Sequence, residues 1–377
     1  MSTQKAIIVA SPKAPFTIAD TPVPKPEKGD VLVKVHSVGL NPMDPLRRVM
    51  DILVPSYPAI FGSDIAGVIE EVGEGVEGWK KGDEILAGDE GGGYRAYTTI
   101  PAELLMRKPS NVSFDDAATF PLTFTTSAVG LYAPAPTGLG LNPTFSLEKT
   151  QVGKTAFVLG AGTSCGQFAI QLLNLIGFTR IIAYASGKHT EYLTSLGATH
   201  VIPRTDTSIA DLPSYPLFSS GQGEADVVFD ALYGGDPETG LTLDVAHALL
   251  KPGGKLGTVN PRAELSPAVA ATPKSPPVQI VKALGSYVGL DALAHTSRGR
   301  GAGGAKSLMA GATPAHTQFG LVYKEKVPKL LEAGVIKPNR VEVLPGGLSG
   351  IVAGLDRWFV TGEGGVSGVK LVGHPQE

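Results

Sequence analysis

The sequence predicts an α/β fold: a doubly wound parallel sheet inserted into a β-rich domain that both ends of the chain build. Three observations carry this. From residue 155 onward, short apolar runs alternate with helical stretches, the rhythm of βα units. A glycine-rich turn, Gly160 to Gly166, separates the first such strand from the first such helix. The chain before about residue 128 is instead β-rich, and its last part resumes that texture.

In the first part, Val31, Val33 and Val35 alternate with Leu32, Lys34 and His36, the period of a strand. Ile65–Val72 is a second apolar run. Gly29-Asp30 and Gly82-Asp83 mark turns before strands, and Pro22, Pro24 and Pro26 predict an extended connector. The middle part predicts strands over Thr155–Leu159, Arg180–Tyr184, Thr199–Ile202, Asp226–Phe229 and Lys255–Val259. Helices over Gln167–Ile176, His189–Leu196 and Asp244–Leu250 separate them, the last ending at Pro252-Gly253-Gly254. Right-handed crossovers make such a sheet a dinucleotide-binding (Rossmann) type.

Residues 261–315 are dominated by Pro, Ala, Gly and Ser, with one plausible strand over Val281–Val288. The run Arg298–Gly304 reads as a solvated loop rather than an RNA contact. A helix over Thr317–Glu332, a strand over Val341–Leu344, a helix over Leu348–Phe359 and a strand over Val369–Val372 close the chain. The expected boundaries are 1–128 for the first part of the β-rich domain, 129–290 for the nucleotide domain and 291–377 for the return.

Composition narrows the function. Of 377 residues, 32 are Lys or Arg and 35 Asp or Glu, a net charge of −3, which excludes a strong overall pull toward nucleic acid or anionic membrane and leaves only a local patch open. One cysteine, Cys165, excludes an intrachain disulfide and a cysteine-rich zinc site. The seven histidines are scattered without ligand spacing, so no metal is expected. No stretch approaches the ~20 apolar residues of a membrane span, and no targeting signal is evident, so a cytoplasmic location is expected.

Gly160, Gly162 and Gly166, with Thr163, Ser164 and Cys165 between them, follow a strand and open a helix. Glycine there permits a tight turn and close approach of backbone to a pyrophosphate, which the helix N-terminus attracts. The spacing is one residue longer than the standard fingerprint. The second strand ends Ala183-Tyr184-Ala185-Ser186-Gly187-Lys188 without the acid that would hold an NAD ribose. Ser186 and Lys188 offer a hydroxyl and a cation to a 2′-phosphate, which points to NADPH; the alternative for Lys188 is a solvated loop. Arg204 either faces the adenine or lies on the surface. Cys165 has no base nearby in sequence and is not expected to be a nucleophile.

The chain resembles the medium-chain dehydrogenase/reductase superfamily over essentially its whole length. Within it, the chain resembles the zinc-free quinone oxidoreductase and enoyl reductase branch, especially fungal enoyl-reductase-like members. The matching stretches are Gly39–Asp44, Gly62–Gly73, Leu122–Gly130, Gly160–Gly166, Ser195–Ala198, Lys251–Lys255 and Val366–Lys370. The resemblance implies a GroES-like substrate domain and a cleft between it and the nucleotide domain. Asn41 falls near the family's zinc-ligating cysteine and Ser63 at its histidine, and the four-cysteine stretch is missing. The branch passes a hydride from NADPH to an activated C=C of an enal, enone or enoyl compound, or to a quinone.

By the same resemblance, Asn41 would contact the nicotinamide ribose side, Thr126 would sit near the nicotinamide, and Val259 and Asn260 would end a strand above it. Turn or cap formation is the alternative for each, and Asp44 reads as a turn or cap residue. The family's tyrosine and lysine proton donors have no counterpart; the lysine-like place reads Pro45-Leu46-Arg47. Tyr57 is the nearest candidate donor, ahead of Tyr94 and Tyr97, and solvent is another source. Three other readings stay open: a quinone reductase, a trans-acting enoyl reductase with a synthase's carrier domain as partner, and an NADPH-binding protein without turnover. The resemblance is compatible with a monomer or homodimer.

Overall fold

A computed structural model describes residues 2–88, 92–219, 224–233, 240–283, 314–359 and 365–377; the Arg298–Gly304 run lies outside them. The chain opens with an antiparallel ribbon, β1 (Thr3–Val9) against β2 (Phe16–Pro22), with Thr3 opposite Pro22. Pro22 therefore ends a strand, and the extended connector begins after it. β3 (Asp30–Gly39) follows, with Val31, Val33 and Val35 fully buried, as the alternation requires. Next come α1 (Met43–Met50), β4 (Asp64–Val72), β5 (Glu84–Gly88), β6 (Tyr97–Pro101), β7 (Leu105–Arg107), α2 (Phe114–Ala117) and α3 (Pro121–Tyr132).

The βα part runs β8 (Thr155–Leu159), α4 (Ser164–Leu175), β9 (Arg180–Ala185), α5 (Thr190–Ser195), β10 (His200–Pro203), α6 (Pro216–Ser219), β11 (Ala225–Asp230), α7 (Gly240–Leu249), β12 (Leu250–Thr258), α8 (Pro267–Ala270) and β13 (Gln279–Lys282). These six strands form one parallel sheet in the order β10-β9-β8-β11-β12-β13. Its core includes Phe157, Ile182, Val228 and Leu256. Several boundaries differ from the expectation. α4 starts at Ser164 rather than residue 167, because Thr163 caps it. β12 starts at Leu250: Leu250 pairs with Ala225 and Lys255 with Val227, and the residues between, Lys251 to Gly254, form a register irregularity within the strand. β13 ends at Lys282, and the rest of the expected Val281–Val288 strand after Ala283 lies outside the described residues.

α9 (Pro314–Glu332), β14 (Val341–Leu344), α10 (Gly347–Asp356) and β15 (Lys370–Gly373) close the chain. β15 pairs antiparallel with β3, Val372 opposite Gly39, so the C-terminal strands extend the sheet begun near the N-terminus. The fold class is the expected one. Two compact units result: Met1–Leu122 with Tyr287–Gly334 and Pro338–Glu377, and Thr123–Ser286 with Val335–Lys337. The Val335–Lys337 segment joins the βα unit through Lys337, whose backbone N–H and C=O both bond the Gln171 side chain. Among the described residues, no helix is long and apolar enough to cross a membrane.

Candidate functional site

The parallel sheet reverses strand order at β8, whose neighbours are β9 on one side and β11 on the other. Dinucleotides bind at the carboxyl edge of such a reversal. The glycine turn sits there, and its three glycines differ. Gly160 has φ +66°, and a Cβ on it would come 2.6 Å from Leu232 Cδ2. A Cβ on Gly166 would strike Gly160 O and lie 2.7 Å from Ala161 Cα, so α4 and β8 need glycine to approach. Gly162 is different: a Cβ would meet only His189 at 3.4 Å and Ala185 at 3.8 Å, ordinary contacts. The protein's own packing does not require glycine at 162. A pyrophosphate drawn close to that backbone would, and the turn fits a dinucleotide in this respect.

The turn is braced from within. Thr163 Oγ1 accepts the Gly166 N–H at 3.0 Å as the N-cap of α4. Gln167 donates to Gly162 O at 2.9 Å and accepts from Tyr192 OH at 3.0 Å, so α5 supports the turn through α4. Ser164 opens α4, and the half-buried Cys165 follows it, its carbonyl accepting from Ser127 Oγ at 2.8 Å. Thr126 is buried on α3, next to that serine.

Ser186 directly follows β9, half-buried, and Lys188 is exposed two residues on. Arg204 follows the neighbouring β10, exposed, and its N–H bonds Ala185 O at 2.8 Å. The hydroxyl and both cations thus follow the carboxyl ends of adjacent strands. Val259 is buried after β12, its N–H bonding Asp230 O. Asn260 Oδ1 accepts the Arg262 N–H at 3.0 Å, a local turn bond.

Asp230, at the end of β11, was not singled out by sequence. It is fully buried, and burial pushes its carboxyl up to about 6, against the hydrogen bonds it accepts. The available signal was an acid closing an apolar strand.

The first unit holds a second buried polar cluster. Asn41 and Asp64 are wholly buried. Asp64 Oδ2 accepts from Asn41 Nδ2 at 2.9 Å and from Lys370 Nζ at 2.7 Å, while Oδ1 accepts the Leu122 N–H at 2.6 Å. Lys370 also donates to Asn41 Oδ1 at 2.5 Å. Asp44, in the first turn of α1, accepts the Asn41 N–H at 3.0 Å and Tyr94 OH at 2.6 Å, and burial pushes its carboxyl up. The bond to Asn41 is a local turn bond, the turn half of the expected turn-or-cap reading; α1 has no side-chain cap. Lys370 has a role the sequence hid: it is a lone lysine in an apolar strand, and its partners lie far off in the chain.

Tyr57 donates to Asp51 Oδ1 at 2.7 Å, and that bond raises the phenol's pKa, making it a weaker acid. Arg47 donates to Leu53 O at 2.8 Å and lies over the Phe61 ring at 4.7 Å. Tyr97 lies half-buried on β6.

The alcohol dehydrogenase GroES-like domain family matches residues 27–110. A zinc-type alcohol dehydrogenase-like protein of Schizosaccharomyces pombe is 30% identical over 98% of this chain and 99% of its own. The trans-enoyl reductase tazE of Aspergillus terreus is 32% identical over 54% of this chain and 69% of its own. A chloroplastic NADPH-dependent alkenal/one oxidoreductase of Arabidopsis thaliana is 33% identical over 63% of this chain and 58% of its own. Among solved structures, the CurK enoyl reductase superposes with a TM-score of 0.70 at 23% identity, covering 98% of each chain, which is a likeness of fold. With its glycine turn at the strand-order reversal and its two-ended β-rich unit, the chain belongs to the medium-chain dehydrogenase/reductase superfamily of oxidoreductases, in its enoyl-reductase-like branch.

Proposed function

We propose that this protein is an NADPH-dependent, metal-independent reductase of the C=C bond in α,β-unsaturated carbonyl compounds. The observation that carries this is the glycine turn at the strand-order reversal, with Ser186 and Lys188 after β9, where an acid would select NAD, and Arg204 after the neighbouring β10. The names of the tazE and Arabidopsis relatives agree with it.

When bound, the nicotinamide would supply a hydride to the electron-poor carbon of the double bond. The chain's part is to hold and orient. The N-terminus of α4 and the backbone at Gly162 would hold the pyrophosphate, while Lys188 and Arg204 would attract the 2′-phosphate. Thr126 and Val259 are the candidates for positioning the nicotinamide. The proton that completes reduction at the neighbouring carbon comes from solvent in this reading, because Tyr57 is held by Asp51 and made less acidic.

Zinc does not fit the donor set. By the resemblance, Asn41 and Ser63 stand near the family's zinc-ligating cysteine and histidine, with Asp64 beside them. They include no thiolate or imidazole, and Asp64 already accepts from three groups. Asn41, with both side-chain polar atoms engaged there, acts on the site by holding this cluster.

The test is NADPH consumption, with product analysis, against enals, enones, acyl thioesters and quinones. Reduction of enals or enones supports the reading. Reduction of carrier-bound thioesters alone would instead assign a carrier protein as partner. Reduction of quinones alone, or tight NADPH binding without turnover, sinks it. Lys188→Ala is expected to raise KM for NADPH about tenfold, the scale of one charge-assisted bond, with KM for NADH unchanged.

A further inference from the structure

We infer that Asp230 and Thr258 form a positioning pair that sets the two loops flanking the nucleotide turn, and that they act through hydrogen bonds rather than through charge. The inference rests on the nucleotide reading above and assigns to it residues outside the glycine turn.

Asp230 and Thr258 are the last residues of neighbouring parallel strands, register partners, and both fully buried. Asp230 is also paired in register with Leu159, the residue before Gly160. Its Oδ1 accepts the Leu232 N–H at 3.1 Å and its Oδ2 accepts from Thr258 Oγ1 at 3.3 Å. Thr258 Oγ1 in turn accepts the Asn260 N–H at 3.1 Å. The Thr242 hydroxyl, near the start of α7, bonds Asp230 as well. A continuous chain of bonds thus runs from Leu232 to Asn260.

Each end of that chain meets the candidate site. Leu232 packs against Gly160 so closely that a Cβ there would collide with it. The preceding Ala231 donates to Leu159 O at 3.0 Å and accepts from Thr163 Oγ1 at 3.4 Å, on the cap of α4. At the other end, Val259 and Asn260 are the loop expected beside the nicotinamide. Between the ends of the two strands the backbone contributes the Val259 N–H to Asp230 O bond. The side-chain pair adds the link that fixes where each loop leaves its strand.

The charge is not needed for this. A neutral acid, or an amide, still accepts the Leu232 N–H on one atom and donates to Thr258 Oγ1 from the other. Asp230→Asn therefore preserves the chain of bonds, whereas Asp230→Ala and Thr258→Val break it.

The test is the Kd for NADPH, from nicotinamide fluorescence, measured beside thermal melts. Asp230→Ala and Thr258→Val are expected to weaken binding about tenfold, within the cost of an unmade buried hydrogen bond. Asp230→Asn and Thr258→Ser should stay within about threefold of wild type. Should Asp230→Ala fail to fold, the Thr258 pair decides. The inference fails if Thr258→Val binds NADPH as wild type does, whatever its melting temperature. It also fails if a folded Asp230→Asn loses as much as Asp230→Ala, which would make charge the active feature. Wild-type protein that binds neither NADPH nor NADH overturns the nucleotide reading and this inference with it.

Discussion

Gly162 and Gly166 lie four residues apart in one turn, yet the protein's own packing requires glycine only at the second. Gly166 lets α4 sit on β8; a methyl there must displace the Ala161 backbone, at a cost of about 1–3 kcal/mol. Gly162 has room for a methyl and an ordinary φ, so Gly162→Ala should leave the melting temperature unchanged or slightly raised. The same change should weaken NADPH binding at least about tenfold by holding the phosphates off the backbone. Melts of both variants with and without NADPH would separate the two roles. A Gly162→Ala protein that NADPH stabilises as strongly as wild type would mean that no pyrophosphate approaches this turn. Sequence spacing named all three glycines but could not separate them, because the atoms that Gly160 and Gly166 avoid come from Leu232 and Ala161, and the room at Gly162 exists only in the folded turn.

At the scale of elements, α4 shows how a cap moves a boundary. Apolar periodicity starts the helix at Gln167, but Thr163 satisfies the Gly166 N–H and allows the helix to begin at Ser164. Thr163→Ala should cost about 1 kcal/mol, visible as a lower urea midpoint, and Thr163→Ser should restore it. An unchanged midpoint in Thr163→Ala would show that the cap contributes nothing. β12 errs the other way. Pro252-Gly253-Gly254 reads as a helix stop followed by a gap, yet the strand takes up the irregularity and starts at Leu250. Local turn chemistry is visible in sequence; whether a neighbouring strand stands ready to pair across it is not. The same limit hid Asp230, whose partner Thr258 lies 28 residues away.

At the scale of the whole molecule, a buried ion pair ties the N-terminal segment of the first unit to its C-terminal one. Lys370 on β15 meets Asp64 on β4, both almost wholly buried, at 2.7 Å. Lys370→Met would leave a buried carboxylate unpaired and should destabilise the protein by about 3–5 kcal/mol. Asp64→Asn combined with Lys370→Met should recover much of that loss, because no lone charge remains; denaturant unfolding of the single and double variants measures the coupling. Equal, additive losses would show that the two residues act separately. The sequence by itself determined the fold class, the first three strands of the βα part and the helices between them to within a few residues, the glycine turn and the missing acid at the second strand's end. All of these rest on local period, turn chemistry and residue type, which a linear chain displays. Only the tertiary structure decided that Asn41 serves Asp64 and Lys370, that Tyr57 is held by Asp51, and that Asp230 and Thr258 are partners. Those contacts join residues that only sheet pairing or a folded loop brings together, and burial then determines which of their polar groups must find each other.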